Sequence, residues 1–410
     1  MKFIIHSFLI LLTSCLLKSN FVYSQNGWQH QTSGTSATLL GAVMTDLNTA
    51  YTCGLNGLII KTTNGGNNWF TQNTNTGRFL RDITSAGFNT LYAVGEMGII
   101  LRTTNGGSNW ITQLSGTDST LVHVKFSDEL NGFAVGVSGT IVRTTDGGNN
   151  WILLNSGTDN SLTGVYFVDS NTGFITGYSG HIQKTTNGGE NWSILNSGVT
   201  DILRSVFFKN ADTGFAVGYS GKILKTFNSG SNWEIISSAT QNNLFSVFFP
   251  VSDTGYISGR DVILKSVDGG NSWLNQPVNI TSNDLYSIHF TDNKNGLTIG
   301  QNGVILKTVT GGVGIVKLSG EIPDRFILYQ NYPNPFNPVT KIEFDIIKNS
   351  DVKISVFDIT GRHITDLVNQ NLTAGTFAAE WNASDSPGGV YFYRIETNEF
   401  TFTRKMILLK

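Results

Sequence analysis

Short apolar runs alternate with glycine- and asparagine-rich turns along most of this chain. The segment 79–113 shows the pattern: apolar runs at 79–84, 91–94 and 99–102 are separated by turn residues, and a fourth run follows Trp110. Runs of about 4–8 residues between such turn signals are typical of antiparallel β-strands joined in chain order. The segment therefore predicts a four-stranded β-meander.

Tryptophan marks the period of this pattern. Seven of the eight tryptophans recur at intervals of 41 residues, with 40 in the last step: Trp28, Trp69, Trp110, Trp151, Trp192, Trp233 and Trp273. A repeat of roughly 40–45 residues with four short strands is typical of a β-propeller, in which each repeat forms one blade. The period therefore predicts an all-β fold dominated by a propeller.

The turn before most of these tryptophans carries a second repeated motif, Ser/Thr-x-Asp/Asn-x-Gly-x-x-Trp, which resembles the Asp-box. Six copies occur in register, the first beginning at Thr62. The Asn or Asp side chain can accept hydrogen bonds from backbone N–H groups of its own turn, and the glycine tolerates positive φ. We therefore assign a structural role in these turns to Asn64, Asn105, Asp146, Asn187, Asn228 and Asp268.

A seventh copy of the motif, from Thr308, is degraded. Thr310 replaces the Asn, and Ile315 stands where the tryptophan would be. At the other end of the repeats, Trp28 leads a strand pattern at 28–31 that precedes any complete blade. Pairing that strand with the last three strands would close the ring and leave no open sheet edge at the seam. We therefore predict a seven-bladed β-propeller over residues 25–315, with blade seven built from both ends.

The N-terminus has the features of a secretory signal peptide, with Lys2 followed by an apolar run over 8–17. We expect residues 1–24 to be cleaved after Ser24. A bacterial lipoprotein signal ending at Cys15 is a second interpretation, although apolar sequence continues past that cysteine. After cleavage at Ser24, Cys53 is the one cysteine of the remaining chain. This excludes an internal disulfide and favours a buried thiol.

Charge and hydropathy argue against a nucleic-acid partner and against a transmembrane span. The formal net charge of the 410 residues is −2, and 14% of them are charged, which gives no basic footprint for nucleic acid. After the signal peptide, no apolar segment approaches the ~20 residues of a transmembrane span.

The 41-residue period stops near residue 316, and the remaining chain has a different pattern. Alternating apolar and polar residues at 341–346, 352–357 and 389–395 predict a small Ig-like β-sandwich over residues 316–410. The motifs at 329–338 (YQNYPNPFNP), 356–362 (VFDITGR) and 405–409 (KMILL) closely resemble the type A C-terminal sorting domain of the type IX secretion system.

This resemblance implies that residues 316–410 are a partner of the type IX secretion machinery. It further implies export through the periplasm and outer membrane, followed by removal of the domain or its replacement by a surface anchor. We therefore expect a protein that is secreted or held at the cell surface. An ordinary accessory sandwich is the alternative.

The propeller repeats also resemble a known family. The segment 94–110 (VGEMGIILRTTNGGSNW) is similar to repeats of the photosystem II assembly-factor propellers and their bacterial relatives. The likeness spans roughly residues 28–315 and specifies the fold better than the function. It implies a non-enzymatic platform that holds another molecule, and it carries no photosynthetic role to a chain with an export tail.

Two repeat positions vary strongly among the seven blades. One follows the leucine that opens the first strand, and the other is the first residue of the turn between the second and third strands. In a propeller meander both lie near the same rim, opposite the Asp-box turns. Because Arg and Tyr are enriched at binding hot spots, we predict a glycan- or protein-binding face there; drift at tolerant positions is the alternative. The predicted residues are Arg81, Arg204, Arg260, Tyr178, Tyr219, Phe245 and Tyr286.

The opposite rim carries a base at the end of every third strand. A ring of positive charge for an anionic polymer is one interpretation, and solvated or loosely paired side chains with packed stems are the favoured one. The seven bases are Lys61, Arg102, Arg143, Lys184, Lys225, Lys265 and Lys307.

Asp-box propellers also include sialidases and other glycosidases, so a hydrolase is the rival class. Glycoside hydrolysis usually requires two carboxylates about 5–9.5 Å apart. Asp82, Glu96, Asp261 and Asp284 are scattered candidates that form no sequence constellation, and no long insertion interrupts the blades. The sequence shows no metal-ligand spacing and no cofactor motif. We therefore expect a monomeric, non-enzymatic binding or scaffold protein, with a glycosidase or a purely structural surface protein as the alternatives.

Overall fold

The structure, a computed structural model, describes residues 27–409 except 239, 277, 279, 281–282, 313–315, 320 and 384–385. The predicted signal peptide and Ile315 therefore lie outside the described residues. Within the described residues, the strands form nine four-stranded antiparallel sheets. The all-β fold class is confirmed. None of the helices in the described part of the chain is long and apolar enough to cross a bilayer.

Strand β1 (Gln29–Gln31) opens the described chain, and blades one to six then follow with four strands each in chain order. Blades one to three contain β2 (Leu39–Met44), β3 (Ala50–Gly54), β4 (Ile59–Thr62), β5 (Phe70–Gln72), β6 (Leu80–Ser85), β7 (Leu91–Gly95), β8 (Ile100–Thr103), β9 (Ile111–Gln113), β10 (Leu121–Phe126), β11 (Gly132–Gly136), β12 (Ile141–Thr144) and β13 (Ile152–Leu154). Blades four to six contain β14 (Leu162–Phe167), β15 (Gly173–Gly177), β16 (Ile182–Thr185), β17 (Ser193–Leu195), β18 (Leu203–Phe208), β19 (Gly214–Gly218), β20 (Ile223–Thr226), β21 (Glu234–Ile236), β22 (Leu244–Phe248), β23 (Gly255–Gly259), β24 (Val262–Ser266) and β25 (Leu274–Gln276).

The seventh blade combines both ends of the repeat region. Its sheet contains β26 (Leu285–Phe290), β27 (Gly296–Gly300), β28 (Ile305–Thr308) and the N-terminal strand β1, with His30 opposite Leu306. Trp28, immediately before β1, is only 3% exposed and meets Phe290 edge-to-face at a centroid distance of 5.8 Å. The first strand of the repeats is thus paired with the last, and the seam presents no open edge.

Left-handed backbone shapes the turn between the second and third strands of each blade. Asn56 has φ 58° and ψ 31°, and Gly57 has φ 69°, which are the angles of a type I′ hairpin turn. A Cβ on Gly57 would lie 2.0 Å from the carbonyl oxygen of Thr76. Four of these turns include a single short 3-10 turn, at Leu55–Gly57, Glu96–Gly98, Tyr219–Gly221 and Gln301–Gly303. Blade six has only Arg260 and Asp261 between its strands, which accounts for the 40-residue interval.

The Asp-box turns are closed by their own side chains. In blade one, the Thr62 hydroxyl donates to Asn64 Oδ1 at 3.0 Å, and Asn64 Oδ1 also accepts the N–H of Asn68 at 3.0 Å. The Thr62 Oγ1 accepts the Gly66 N–H at 2.9 Å. The same Asn or Asp contact to a backbone N–H four residues later is made by Asn105, Asp146, Asn187, Asn228 and Asp268.

Aromatic rings join neighbouring blades. Tyr92 on β7 stacks on Phe126 of the next blade at 4.2 Å, and Trp151 meets Phe126 edge-to-face. A Cβ on Gly132 would lie 2.4 Å from Phe126 Cζ, so the glycine leaves room for the ring. The tyrosine hydroxyl donates to the Gly147 carbonyl oxygen of that blade's Asp-box at 2.6 Å. Burial of such rings stabilises the contact between blades.

The bases at the ends of the third strands also join blades. Lys61 Nζ donates to the Gly106 carbonyl oxygen at 2.7 Å, and Lys225 Nζ donates to the Gly269 carbonyl oxygen at 3.0 Å. Each acceptor lies in the Asp-box turn of the next blade, so these bases have a defined structural role. They form specific hydrogen bonds, whereas the sequence favoured solvated or loosely paired side chains. Equivalent contacts to the next Asp-box are made by Arg102, Lys184 and Lys307.

The C-terminal strands form two facing four-stranded sheets. They are β29 (Val316–Ser319), β30 (Ile327–Leu328), β31 (Val339–Ile346), β32 (Ser350–Asp358), β33 (His363–Leu372), β34 (Gly375–Asn382), β35 (Gly389–Glu396) and β36 (Thr401–Leu408), in the orders β29-β34-β31-β30 and β33-β32-β35-β36. Part of the 329–338 motif lies in their core: Asn331 is 2% exposed, and its side chain donates to the Pro333 carbonyl oxygen at 3.1 Å and to Thr340 Oγ1 at 2.8 Å.

Deleting the N-terminal strand tests the seam. We expect a chain that begins at Ser33 to lose at least about 3 kcal/mol of unfolding free energy relative to one that begins at Gly27, because Trp28 and the β1 pairing are both removed. The exposed edge of β28 should also promote association between copies. Thermal unfolding and light scattering measure the two effects. If the two chains had equal melting temperatures and both were monomeric, this role of β1 would be contradicted.

Candidate functional site

The first strands of the seven blades surround the propeller axis. Each contacts the first strand of the next blade, and β2 contacts β26 to complete the circle. The second, third and fifth residues of each first strand face the channel in three successive rings, which we call outer, middle and inner. The outer ring is Leu40, Arg81, Val122, Thr163, Arg204, Phe245 and Tyr286; the middle ring is Gly41, Asp82, His123, Gly164, Ser205, Ser246 and Ser287; the inner ring is Val43, Thr84, Lys125, Tyr166, Phe207, Phe248 and His289.

An open cavity of about 340 Å³ lies at the outer end of this channel. Its walls come from the outer ring and from two turn residues, Val137 and Tyr178, and its floor comes from the middle ring. The cavity opens on the rim opposite the Asp-box turns, because each first strand begins there. A volume in this range is typical of small-ligand sites.

Five of the seven predicted binding residues line this cavity: Arg81, Arg204, Tyr178, Phe245 and Tyr286. Tyr219 and Arg260 do not line it. Tyr219 supports the wall instead, because its ring meets Phe245 edge-to-face at a centroid distance of 6.2 Å. Phe245 in turn contacts Tyr286 at 5.2 Å. The structure therefore brings most of the predicted set together and places the other two just behind or beside it.

The two arginines of the outer ring differ in their partners. Arg81 lies 3.5 Å from Glu96, a turn residue of its own blade. Within the described residues, Arg204 has no carboxylate oxygen within 4.0 Å. The Nε atoms of both arginines are buried without a hydrogen-bond acceptor. Arg204 therefore keeps its guanidinium charge available at the cavity wall.

The third predicted arginine belongs to a polar cluster beside the cavity. Arg260 Nε donates to Asp284 Oδ1 at 2.8 Å, and the Tyr286 hydroxyl donates to Asp284 Oδ2 at 3.2 Å. Gln301 Nε2 donates to the Tyr286 hydroxyl oxygen at 3.2 Å. Burial and the neighbouring Asp284 raise the pKa of Tyr286, which keeps its hydroxyl protonated. The cluster orients the tyrosine ring toward the cavity.

Asp82 and His123 form the polar part of the cavity floor. His123 Nε2 lies 3.7 Å from Asp82 Oδ2, and that oxygen accepts the Val124 N–H at 3.0 Å. His123 Nδ1 accepts the Val165 N–H at 3.4 Å, so in the neutral ring the proton is on Nε2. Burial raises the pKa of Asp82 and lowers the pKa of His123, while each opposes the shift of the other. The pair presents one donor and one acceptor to the cavity.

The inner ring lines a narrower space of about 90 Å³ below the floor. Lys125 lies there with its ammonium 5.9 Å from the centre of the Tyr166 ring, and burial lowers the pKa of this lysine. His289 Nδ1 accepts the Met44 N–H at 3.3 Å. Burial, and to a lesser extent Lys125, lower the pKa of His289 to about 3, so its ring is neutral near pH 7.

Other candidate chemistry is not assembled in this region. In the part of the chain that the structure describes, no group of three or more His, Cys, Asp or Glu side chains is placed to hold a metal ion. Cys53 is buried with a free thiol, as the sequence predicts, and burial raises its pKa well above the usual range.

The middle ring is the part of the site that the variable rim positions do not reveal. Those positions include neither His123 nor the serines at 205, 246 and 287, and the sequence points to Asp82 only as a hydrolase carboxylate. A signal is present in the repeats, since the third residue of the first strand is Gly or Ser in five blades and Asp or His in the other two. This signal can be interpreted only with the fold, because the fold shows that the third residue of each first strand faces the propeller axis.

Two families match the chain. Residues 330–409 match the family described as the secretion system C-terminal sorting domain. Three overlapping segments, 112–200, 149–241 and 190–280, match the family described as the photosynthesis system II assembly factor YCF48. Both resemblances noted in the sequence are confirmed. The sorting domain indicates secretion or surface display through a type IX system. No curated protein matches the chain.

Solved structures with the same fold include two YCF48 propellers and a GH74 enzyme. A structure of YCF48 bound to a D1 peptide is 23% identical, with a TM-score of 0.61, over 70% of this chain and 96% of that one. YCF48 from Cyanidioschyzon merolae is 20% identical, with a TM-score of 0.60, over 68% and 98% of the two chains. The GH74 enzyme of Niastella koreensis is 13% identical, with a TM-score of 0.58, over 92% and 74%. At these identities the similarity shows the fold, and the predicted propeller is confirmed.

The neutral state of His289 gives a pH dependence that can be measured. Its pKa of about 3 in the folded chain lies below the unfolded value of about 6.5, so the unfolded chain binds a proton that the folded chain does not. This residue should therefore cost stability as the pH falls below about 6.5, by at most about 1.4 kcal/mol per pH unit. We expect the urea midpoint of His289→Asn to fall less between pH 7.5 and pH 4.5 than that of the wild type. The exposed His30→Asn serves as the control, and parallel curves for both variants would contradict the assignment.

Proposed function

We propose that this protein is an exported, non-enzymatic β-propeller that binds a glycan or protein ligand in the cavity at the open end of its central channel. The observation that carries the proposal is the convergence of Arg81, Arg204, Tyr178, Phe245 and Tyr286 on one cavity. Charged, hydroxyl-bearing and aromatic side chains around a preformed hollow are the usual composition of a binding site.

The chain organisation supports an extracellular role for this site. We propose a signal peptide at residues 1–24, the propeller at 25–315 and the sorting domain at 316–410. The type IX machinery then handles the C-terminal domain, and the propeller acts as a monomer outside the outer membrane. The structure of a similar propeller with a bound peptide, YCF48 with a D1 peptide, supports a holding role for this fold.

A glycosidase is the second candidate, because GH74 propellers share the fold. The carboxylates argue against it. Of the four sequence candidates, Asp82 alone is among the residues that line the cavity. Glu96 faces Arg81, Asp284 is bound by Arg260, and Asp261 accepts the Asn283 N–H at 2.8 Å. A paired acid and base across a sugar bond is therefore not supported.

A sialidase-like tyrosine nucleophile is not supported either. Tyr286 has an acidic neighbour, but its pKa is raised, mainly by burial and further by Asp284. A tyrosine nucleophile requires the opposite shift or a base that removes its proton. The Tyr286 hydroxyl does donate to Asp284, which is the contact such a base would make, but Arg260 already binds this carboxylate at 2.8 Å. The raised pKa and this ion pair together favour a fixed binding surface over a nucleophile.

Capture by the full-length chain without residues 1–24 tests the proposal. We immobilise it and expose it to polysaccharides, sialylated glycans and outer-surface extracts, and we measure both retained material and released sugar. We expect retention without release. We expect the double variant Arg204→Ala/Tyr219→Ala to retain at least tenfold less, because it removes the free guanidinium and the support of Phe245.

Arg362→Ala, on the sandwich and 76% exposed, is the control and should retain as much as the wild type. Release of sugar that stops in Asp82→Asn would replace the proposal with the glycosidase. Equal retention by the double variant and the wild type would move the binding site elsewhere.

A further inference from the structure

The middle ring contains two side chains that the propeller architecture does not require. Five blades place Gly or Ser at this position, whereas blade two has Asp82 and blade three has His123. One structural duty of the position is visible in blade five, where Ser205 Oγ accepts the Val247 N–H of the next blade at 3.4 Å. Asp82 and His123 accept the corresponding N–H groups with one atom each. A serine thus serves the same contact, and the larger side chains carry additional polar atoms.

Both side chains line the cavity. Asp82 Oδ2 accepts the Val124 N–H, the Ile83 N–H also lies against this carboxylate, and His123 Nδ1 accepts the Val165 N–H. A carboxylate has roughly four acceptor positions, so Asp82 keeps acceptor capacity, and His123 Nε2–H is left as a donor 3.7 Å from Asp82 Oδ2. The side chains are 15% and 31% exposed, so a ligand can reach both. An acceptor and a donor side by side on the cavity floor can bind a ligand that offers a donor and an acceptor at matching positions.

We propose that this pair binds a neutral sugar residue at the end of a glycan, through two adjacent hydroxyl groups. One hydroxyl donates to Asp82 and the next accepts from His123 Nε2. The inference rests on the proposed binding function and names its ligand class. Hydrogen bonds of about 2.7–3.0 Å from two neighbouring oxygens can reach groups 3.7 Å apart at the same time.

The rest of the cavity supports a compact polyhydroxyl ligand over a peptide segment. Serine hydroxyls at 205, 246 and 287 complete the floor, and a hydroxyl can both donate and accept. Phe245 and Tyr286 form an apolar wall at the level of the outer ring, against which the carbon-bound face of a sugar ring can pack. A volume of about 340 Å³ limits the occupant to a short terminal piece.

Charge favours a neutral occupant of the floor. A ligand carboxylate or phosphate placed beside Asp82 would add a second negative charge to a desolvated position. Arg204 lies one ring further out, so an acidic group would be drawn to the wall and away from the floor. The floor therefore favours neutral groups, whereas the wall favours acidic groups. Variants of Asp82 and of Arg204 distinguish these two preferences.

Titration of the full-length chain without residues 1–24 by calorimetry tests the proposal. The probes are the methyl glycosides of glucose, galactose and mannose, their β-linked and α-linked tetrasaccharides, and N-acetylneuraminic and glucuronic acids. We expect at least one neutral sugar to bind. We expect Asp82→Ser and His123→Ser each to weaken its Kd at least tenfold with melting temperatures close to wild type, because serine retains the bond between blades. Removing either of the two bound hydroxyls, in a deoxy version of that sugar, should weaken binding similarly.

Glu190→Ser is the matched control, since Glu190 is exposed in an Asp-box turn on the opposite rim, and it should bind as the wild type does. Unchanged sugar binding by Asp82→Ser and His123→Ser would overturn the proposal, as would binding of acidic sugars alone with dependence on Arg204. If no neutral sugar binds while the wild type still retains surface material and Arg204→Ala/Tyr219→Ala does not, the sugar proposal fails and the binding function stands. If nothing is bound or retained, both fail.

Discussion

Each blade of this propeller has to meet both neighbours through nearly the same contact, and this requirement governs the distribution of residues. At five of the seven junctions an aromatic ring on the second strand stacks on a phenylalanine of the next blade, with centroids between 3.9 and 4.6 Å apart. The tryptophan of that next blade closes the group edge-to-face, and its turn accepts hydrogen bonds from the preceding blade. Because the ring must close after seven steps, a side chain that changed one junction would disturb the others. The residues of these contacts therefore recur.

The same constraint decides which positions are free to differ. The junctions lie away from the axis, whereas the second, third and fifth residues of the first strands face the channel and are held in place by neighbouring backbone. A serine, a carboxylate or an imidazole can each accept the same backbone N–H there, as Ser205, Asp82 and His123 do. Polar and ionisable side chains can thus occupy these positions along the axis with little loss of stability. Loops carry this role in many proteins, but the loops of this propeller are short and nearly uniform.

Charged residues are used in two different ways on the two rims. On the Asp-box rim, bases reach the carbonyl oxygens of the next blade and lie over aromatic rings, as Lys61 does with Gly106 and Tyr51. Lys265 differs from them, because its ammonium lies 3.9 Å from Glu380 of the C-terminal sandwich. On the opposite rim, Arg204 has no such partner within the described residues. On the Asp-box rim, a charge that recurs at one strand position thus has a structural use.

The sequence alone determined the all-β class, the propeller repeat and the Asp-box turns, because each depends on local residue order: apolar runs, turn glycines and a tryptophan at a fixed interval. It also identified most of the cavity wall, since variation among repeats is visible without coordinates. The pairing of Asp82 with His123, the burial that shifts their pKa values, and the exclusion of Tyr219 and Arg260 from the lining were decided only by the tertiary structure. These residues come from different blades or from turns whose direction depends on ring closure, and only the closed ring sets how far apart their side chains lie.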